Sequence, residues 1–332
     1  MEILEKESLT SAWFKSLRDK ICAEFEKIEE EYLEATNQPQ INFATPAKFT
    51  RKRWLRNVSN GAAQNNDENS ADQNGGGGEM SVMKGNVFEK VGVNISTVFG
   101  ELSEEFRGQL PGTESGAKFF ATGVSLVAHM ASPLVPAVHM NTRFIHTEKE
   151  WFGGGADLNP MFEVEQDTQD FHQAFKKACD AYDLSLGKDS RNSSYEKFKK
   201  ECDEYFFIKH RGVARGVGGI FYDYLNNGCA DKKFSHLKNT VKNFPKNSVE
   251  NFTKDFDFTK NVGLAFLDIF PQLVRRNMLQ RWTTEQREHQ LKKRGFYAEF
   301  NLVYDRGTKF GLMTGGNPEA ILMALPPVAK WD

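Results

Sequence analysis

Near the start of the chain, Leu9, Trp13, Leu17, Ile21, Phe25, Ile28 and Tyr32 recur three and four residues apart. That spacing is one face of an amphipathic helix, predicted to stop near Asn37–Pro39. From Asn57 to Glu79 the apolar rhythm gives way to Asn, Asp, Gln, Ser and Gly, ending in a run of glycines. Such a stretch buries too little apolar surface to offset chain entropy, so a mobile loop is expected over 57–79. Val91, Val93, Ile95, Thr97 and Phe99 then alternate with other residues, which is strand periodicity. PGTESG reads as a turn. Phe119–Met130 and Ala137–His146 read as two further strands, joined through the proline-bearing loop SPLVP.

Asp167–Tyr182 and Ser194–Ile208 carry helical spacing through Phe171, Phe175 and Ala178 and through Tyr195, Phe198, Cys202 and Tyr205. Gly216–Leu225 reads as a strand, and helices are predicted from about Asp231 to Phe244 and from Phe258 to Trp282. Thr283 and Gln286 have the spacing of a capping box, and Gly295 is a suitable helix end. Phe296–Tyr304 alternates, and DRGT would turn it as a hairpin into KFGLMTGG. Mixed helices and strands joined by short turns predict an α+β fold with a large, mainly antiparallel sheet covered by helices. No repeat and no second domain boundary appear, so a single domain over 1–332 is expected.

Composition narrows the function. A net charge of −2 argues against a nucleic-acid-binding stripe, and the basic run Lys48–Arg56 reads as a solvated segment. No stretch approaches the ~20 apolar residues of a membrane span. The acidic start MEILEKESLT lacks a leader pattern, so a cytoplasmic protein is expected, although a trimmed start would hide a leader. Cys22, Cys179, Cys202 and Cys229 form no C-x-x-C pair and read as buried free thiols. The chain's 28 phenylalanines suit a wide aromatic core or a flat apolar ligand.

The strongest chemical signal is the pair of strands from Ser125 to Arg143. Strand side chains alternate faces. Ser125, Val127 and His129 therefore share one face, and His139, Asn141 and Arg143 share one on the next strand. If the two strands pair, five polar groups line one surface. A solvated sheet face usually carries Lys, Glu and Thr instead. Arginine forks onto a carboxylate or phosphate, and histidine shuttles protons or binds metal. WFGGGADLNP is either a plain glycine loop or a close backbone approach to a ligand, with Asp157 directly after it. It is not a P-loop, and RGVGGIFYDYL lacks dinucleotide-fingerprint spacing. Asp305 and Arg306 at a turn are either turn formers or an acid beside an anion clamp. His129, His139, His172 and His210 could cluster, but their spacing alone specifies no metal.

Taken together, NVFEKVGVNIS, GVSLVAH, HMNTRF, WFGGGADLNP, CDEYFFIKHRGVARGVGGIFYDYL and YAEFNLVYDRGTKFGLMTGG resemble the oxygen-dependent coproporphyrinogen III oxidase family from about Val87 to Trp331. The resemblance implies a homodimer built on a seven-stranded antiparallel sheet with helices on both faces. It implies conversion of two propionates of coproporphyrinogen III to vinyls, giving protoporphyrinogen IX on the route to haem. Dioxygen would be co-substrate with no cofactor required, and hydrogen peroxide and carbon dioxide would be released.

Residue by residue, His139 matches a proton donor. Ser125 and the span Asn141, Thr142 and Arg143 match substrate contacts, with Thr142 facing away and acting through its backbone. Arg143, Arg215 and Arg306 match arginines for the substrate's carboxylates, and Asp157 and Asp305 match acids for pyrrole N–H groups. In the mechanism this implies, one of these acids takes a pyrrole proton and dioxygen attacks the electron-rich ring. Val87–Ser96 and the segment after Phe310 match dimer-forming regions. His129, His139, His172 and His210 match metal ligands proposed in bacterial members, whereas other members need no metal.

Three positions depart from the family pattern. Gly315-Gly316-Asn317 stands where an arginine commonly closes the motif, so one propionate contact is weakened or replaced. Paired aspartates reduce to Asp223 followed by Tyr224. Glu79 stands where an arginine usually follows the glycine run. Two other classes are therefore kept open: a tetrapyrrole-binding protein with impaired catalysis, and a histidine-cluster metalloenzyme.

Overall fold

A computed structural model describes residues 1–36, 43–56, 75–102, 104, 110–114, 116, 118–188, 193–226, 249–313 and 316–331. The helix expected at Asp231–Phe244, Cys229, Gly315 and most of the expected 57–79 loop lie outside them.

The chain runs α1 (Ile3–Ala35), β1 (Thr50–Leu55), β2 (Gly76–Met83), β3 (Phe88–Glu101), β4 (Lys118–Met130), β5 (Ala137–His146) and β6 (Glu150–Asn159). It continues through α2 (Glu165–Ser185), α3 (Ser194–Tyr205), a small hairpin of β7 (Phe207–Ile208) and β8 (Val213–Ala214), and β9 (Gly218–Leu225). It ends with α4 (Val249–Asn277), α5 (Thr284–Val303), α6 (Arg306–Met313) and α7 (Pro318–Leu322). Strands β1-β2-β3-β4-β5-β6-β9 form one seven-stranded sheet, antiparallel at every pairing.

The alternation of side chains gives the sheet two different faces. On one, Val93, Leu126, Met140, Ala156 and Ile220 stand side by side in register and pack beneath α1, α2 and α4. The phenylalanines are spent largely here. Phe144 and Phe152 meet Phe252 and Phe256 of α4 with ring centroids 5.4–5.7 Å apart, and each such buried side chain contributes roughly 1.5–3 kcal/mol. Over the other face lie α5 and the C-terminal segment. Gln290 donates to the Met130 carbonyl at 2.8 Å, Arg294 pairs with Glu89 at 2.7 Å, and Asn94 donates to the Ala320 carbonyl at 3.0 Å.

Four expectations are corrected. Gly76–Gly78 and Glu79 belong to β2 rather than to a loop. The Trp54 ring lies where a side chain on Gly78 would go, so the glycines let this strand sit tightly against β1. The basic segment is solvated as expected, and it forms the edge strand β1, whose mostly exposed residues include charges that blunt a sheet edge. WFGGGADLNP is an interior strand, β6, buried from Glu150 to Asn159.

The expected hairpin around DRGT is helical. FYAEFNLVY fits both periods, but Leu291, Arg294, Ala298 and Asn301 are buried at helical spacing while Leu302 and Val303 are exposed. The helix passes through Gly295 because a side chain there would strike the Lys330 carbonyl at 2.7 Å, so the bare position lets the chain end pack alongside. The capping box is present: Gln286 N donates to Thr283 Oγ1 at 3.3 Å, and Thr283 N donates to Gln286 Oε1 at 2.9 Å. Thr283→Ala should lower unfolding free energy by about 1 kcal/mol, read as an earlier denaturation midpoint.

Val87–Ser96, expected at a dimer surface, begins β3 between β2 and β4, with Val91 and Val93 buried in this chain's own core. Cys22, Cys179 and Cys202 are buried free thiols. Among the described residues no helix is long and apolar enough to cross a membrane.

Candidate active site

The polar face foreseen between Ser125 and Arg143 exists. Ser125 pairs with Asn141, Val127 with His139 and Gly123 with Arg143. Across β5 the register brings Asp157 opposite His139 and Gly153 opposite Arg143. On this face Ser125, His139, Asn141 and Arg143 are half-buried, whereas Val124, Leu126, Met140 and Thr142 behind them are buried. Thr142 thus turns away from the polar side, as the alternation predicts.

Two charged groupings are built on this face. In the first, His139 Nδ1 lies 2.9 Å from Asp157 Oδ1, and Arg215 donates to both Asp157 oxygens at 2.7 Å. Asn159 adds a hydrogen bond to Asp157 Oδ2 at 3.0 Å. The Arg215 guanidinium lies over Phe206, Phe300 and Tyr297 at 3.9, 4.6 and 4.8 Å from their ring centres. Burial alone would raise the Asp157 pKa. The charge of Arg215 and the bond from His139 outweigh it and hold the carboxyl down at about 2. A carboxylate held ionised can only accept, so His139 Nδ1 carries the hydrogen of that bond and Nε2 is the nitrogen left for proton exchange.

In the second grouping, Arg143 pairs with Asp223 at 2.9 Å and donates to Asn141 Oδ1 at 3.2 Å. Arg306, at the start of α6, stands 3.8 Å from the other Asp223 oxygen and lies over the Tyr205 ring at 4.9 Å. Tyr205 stacks on Phe221 at 4.5 Å and donates its hydroxyl to Asp305 Oδ1 at 2.9 Å. Burial and the Asp305 charge push that phenol up to about 12, so it stays a donor at neutral pH. Asp305 Oδ2 accepts the Thr308 N–H at 2.6 Å, which caps α6.

Other expected residues are placed differently. Arg215 and Asp157 are only 2% exposed at their side chains, so the arginine is committed to the aspartate rather than open to a ligand. Asn317 is buried and caps α7, accepting the Ala320 N–H at 3.2 Å, and Gly316 N donates to the Gly311 carbonyl at 2.8 Å. Glu79 pairs with Arg18 at 2.5 Å.

The four histidines stay apart. His129 Nε2 meets the Ala324 carbonyl at 2.9 Å, and burial drives its pKa down to about 3, so the ring is neutral. His172 is held between Val217 O and Tyr195 OH, and His210 between Tyr304 OH and Glu299. Among the described residues no three His, Cys, Asp or Glu side chains are grouped to hold a metal ion, and these four do not fit one site.

Sequence reasoning passed over Asp223 as a partner of Arg143, and over the buried cluster of Phe206, Phe221 and Phe300 on which Tyr205 packs. Alternation in β9 carried a usable signal, because Phe221 and Asp223 share a face with Gly219, which pairs with Asp157. The site is therefore a half-open polar floor with two arginines suited to a carboxylate and one histidine bonded to a buried aspartate, backed by a buried aromatic cluster.

The family described as "Coproporphyrinogen III oxidase" matches residues 10–332 of the chain. The oxygen-dependent coproporphyrinogen-III oxidase of Rickettsia africae (strain ESF-5) is 54% identical over 329 residues, covering 99% of each chain. That of Rickettsia bellii (strain OSU 85-389) is 54% identical over 323 residues, 97% of each. That of Rickettsia akari (strain Hartford) is 53% identical over 329 residues, 99% of each.

Proposed function

Because the chain belongs to the coproporphyrinogen III oxidase family, we propose that the polar floor of β4, β5, β6 and β9 is where it carries out that family's reaction. The reaction is the oxidative decarboxylation of two propionates of coproporphyrinogen III to vinyls, giving protoporphyrinogen IX in haem biosynthesis. Each propionate gives up its carboxylate as carbon dioxide, and two electrons and two protons pass to dioxygen, making one hydrogen peroxide.

The observation that carries the placement is the pair Arg143 and Arg306, held above a floor that also presents His139. The arginines grip the reacting carboxylate as it enters, and Ser125 and Asn141 line its approach. His139 exchanges the proton through Nε2, with Asp157 and Arg215 fixing its ring. Asp157 is too strong an acid, and too deeply buried, to serve well as a base toward the pyrrole. Asp305 is half-buried and better placed to meet a pyrrole N–H. Tyr205, half-buried beside Arg306 and backed by the buried Phe221, offers the macrocycle an aromatic contact. Assembly as a homodimer and a cytoplasmic setting belong to the same reading.

The test is aerobic incubation with coproporphyrinogen III, with and without chelator, read as protoporphyrin fluorescence after oxidation. Oxygen-dependent product that is indifferent to chelator is expected. Binding without product would support the catalytically impaired tetrapyrrole binder, and chelator-sensitive turnover would support a metal role.

A further inference from the structure

Asp223 has no step of its own in that chemistry, yet it is the acid that faces both Arg143 and Arg306. Its two oxygens are divided between them, Oδ1 to Arg143 at 2.9 Å and Oδ2 to Arg306 at 3.8 Å. The arrangement is built rather than incidental. The next residue, Tyr224, has φ 55°, a conformation that a bulky side chain rarely adopts. From there it donates its N–H to Asp223 Oδ1 at 3.0 Å. Gly153 supplies the room, since a Cβ there would lie 2.8 Å from both Arg143 Nη2 and Asp223 Oδ1.

We infer that Asp223 is a positioning and specificity residue that stands in for a substrate carboxylate, keeping Arg143 and Arg306 poised as a clamp for one propionate. This rests on the proposed function above and deepens it. Two guanidiniums and one carboxylate leave one net positive charge, which one propionate neutralises. Arg143 is the fixed jaw, being the shorter pair and 26% exposed at its side chain. Arg306 is the movable jaw, with the longer pair and 53% exposure. When the bound propionate becomes a neutral vinyl, nothing competes with Asp223 for the arginines. The clamp then resets and the ring is free to move.

The experiment measures competitive inhibition of coproporphyrinogen turnover by coproporphyrin III, its oxidised tetracarboxylate, together with thermal midpoints. Asp223→Asn keeps the shape and removes the charge, so the inhibitor should bind about tenfold more tightly. Asp223→Glu should return the inhibition constant to within about twofold of the parent enzyme. Arg306→Gln should weaken the inhibitor by about tenfold, and the double variant should bind it about as the parent does, because the net charge is restored. If Asp223→Asn folds but binds the inhibitor equally or more weakly, the inference fails. Should that variant not fold, an unchanged inhibition constant in Arg306→Gln overturns it. Lack of turnover by the unmodified enzyme would instead overturn the proposed function, so the two failures are distinguishable.

Discussion

Asp157→Asn should lower stability by about 3–5 kcal/mol, because it leaves a buried arginine without its counter-charge. Arg215 is 2% exposed at its side chain and directs both Nε and Nη2 at this one carboxylate. An asparagine presents one oxygen and one N–H₂ group, so part of the guanidinium would face a donor. Turnover should fall as well, by about 10²–10⁴-fold, since His139 loses the acceptor that fixes its tautomer. Acid sensitivity gives a separate check. The Asp157 pKa is depressed from 3.8 to about 2 in the folded protein. Its contribution to stability is therefore fully present above about pH 4 and is lost as the pH falls through about 2. Equilibrium denaturation across that range should show this loss in the parent and lack it in the variant.

His139→Asn should have the opposite balance. kcat for coproporphyrinogen should fall by about 10²–10⁴-fold, the usual size of a lost proton-transfer group. KM should change little, because Arg143 and Arg306 lie in the other charged grouping. The fold should tolerate it, since Asp157 keeps Arg215 and Asn159 as partners, and a cost of about 1–3 kcal/mol is expected. A variant with normal kcat would remove His139 from the chemistry, whereas a rise in KM alone would make it a binding residue.

What could be read in advance followed from strand alternation. Ser125, His139, Asn141 and Arg143 share a face because the period is two and a short loop fixes which strands pair. The run Gly153–Gly155 was opaque for the converse reason. Glycine has no strand preference, and only the neighbours in β5 and β9 make β6 a strand. FYAEFNLVY carried both periods, and the choice was made by a cap at Thr283 and by the chain end passing Gly295. The four histidines looked alike along the chain. The fold gives each a different local partner, from the Ala324 carbonyl at His129 to Glu299 at His210. Asp223 could be seen, but its division between two arginines depends on β5, β9 and α6 meeting, which no local pattern encodes. Arg215 had the residue type of a carboxylate binder, and only its burial against Asp157 shows that it is already taken.

The most direct test of the central claim is a crystal structure of the enzyme with coproporphyrin III bound. A propionate within hydrogen-bond distance of both Arg143 and Arg306, with the macrocycle beside Tyr205 and His139, is the predicted result. A tetrapyrrole seated elsewhere, with Asp223 still paired to both arginines, would contradict the account.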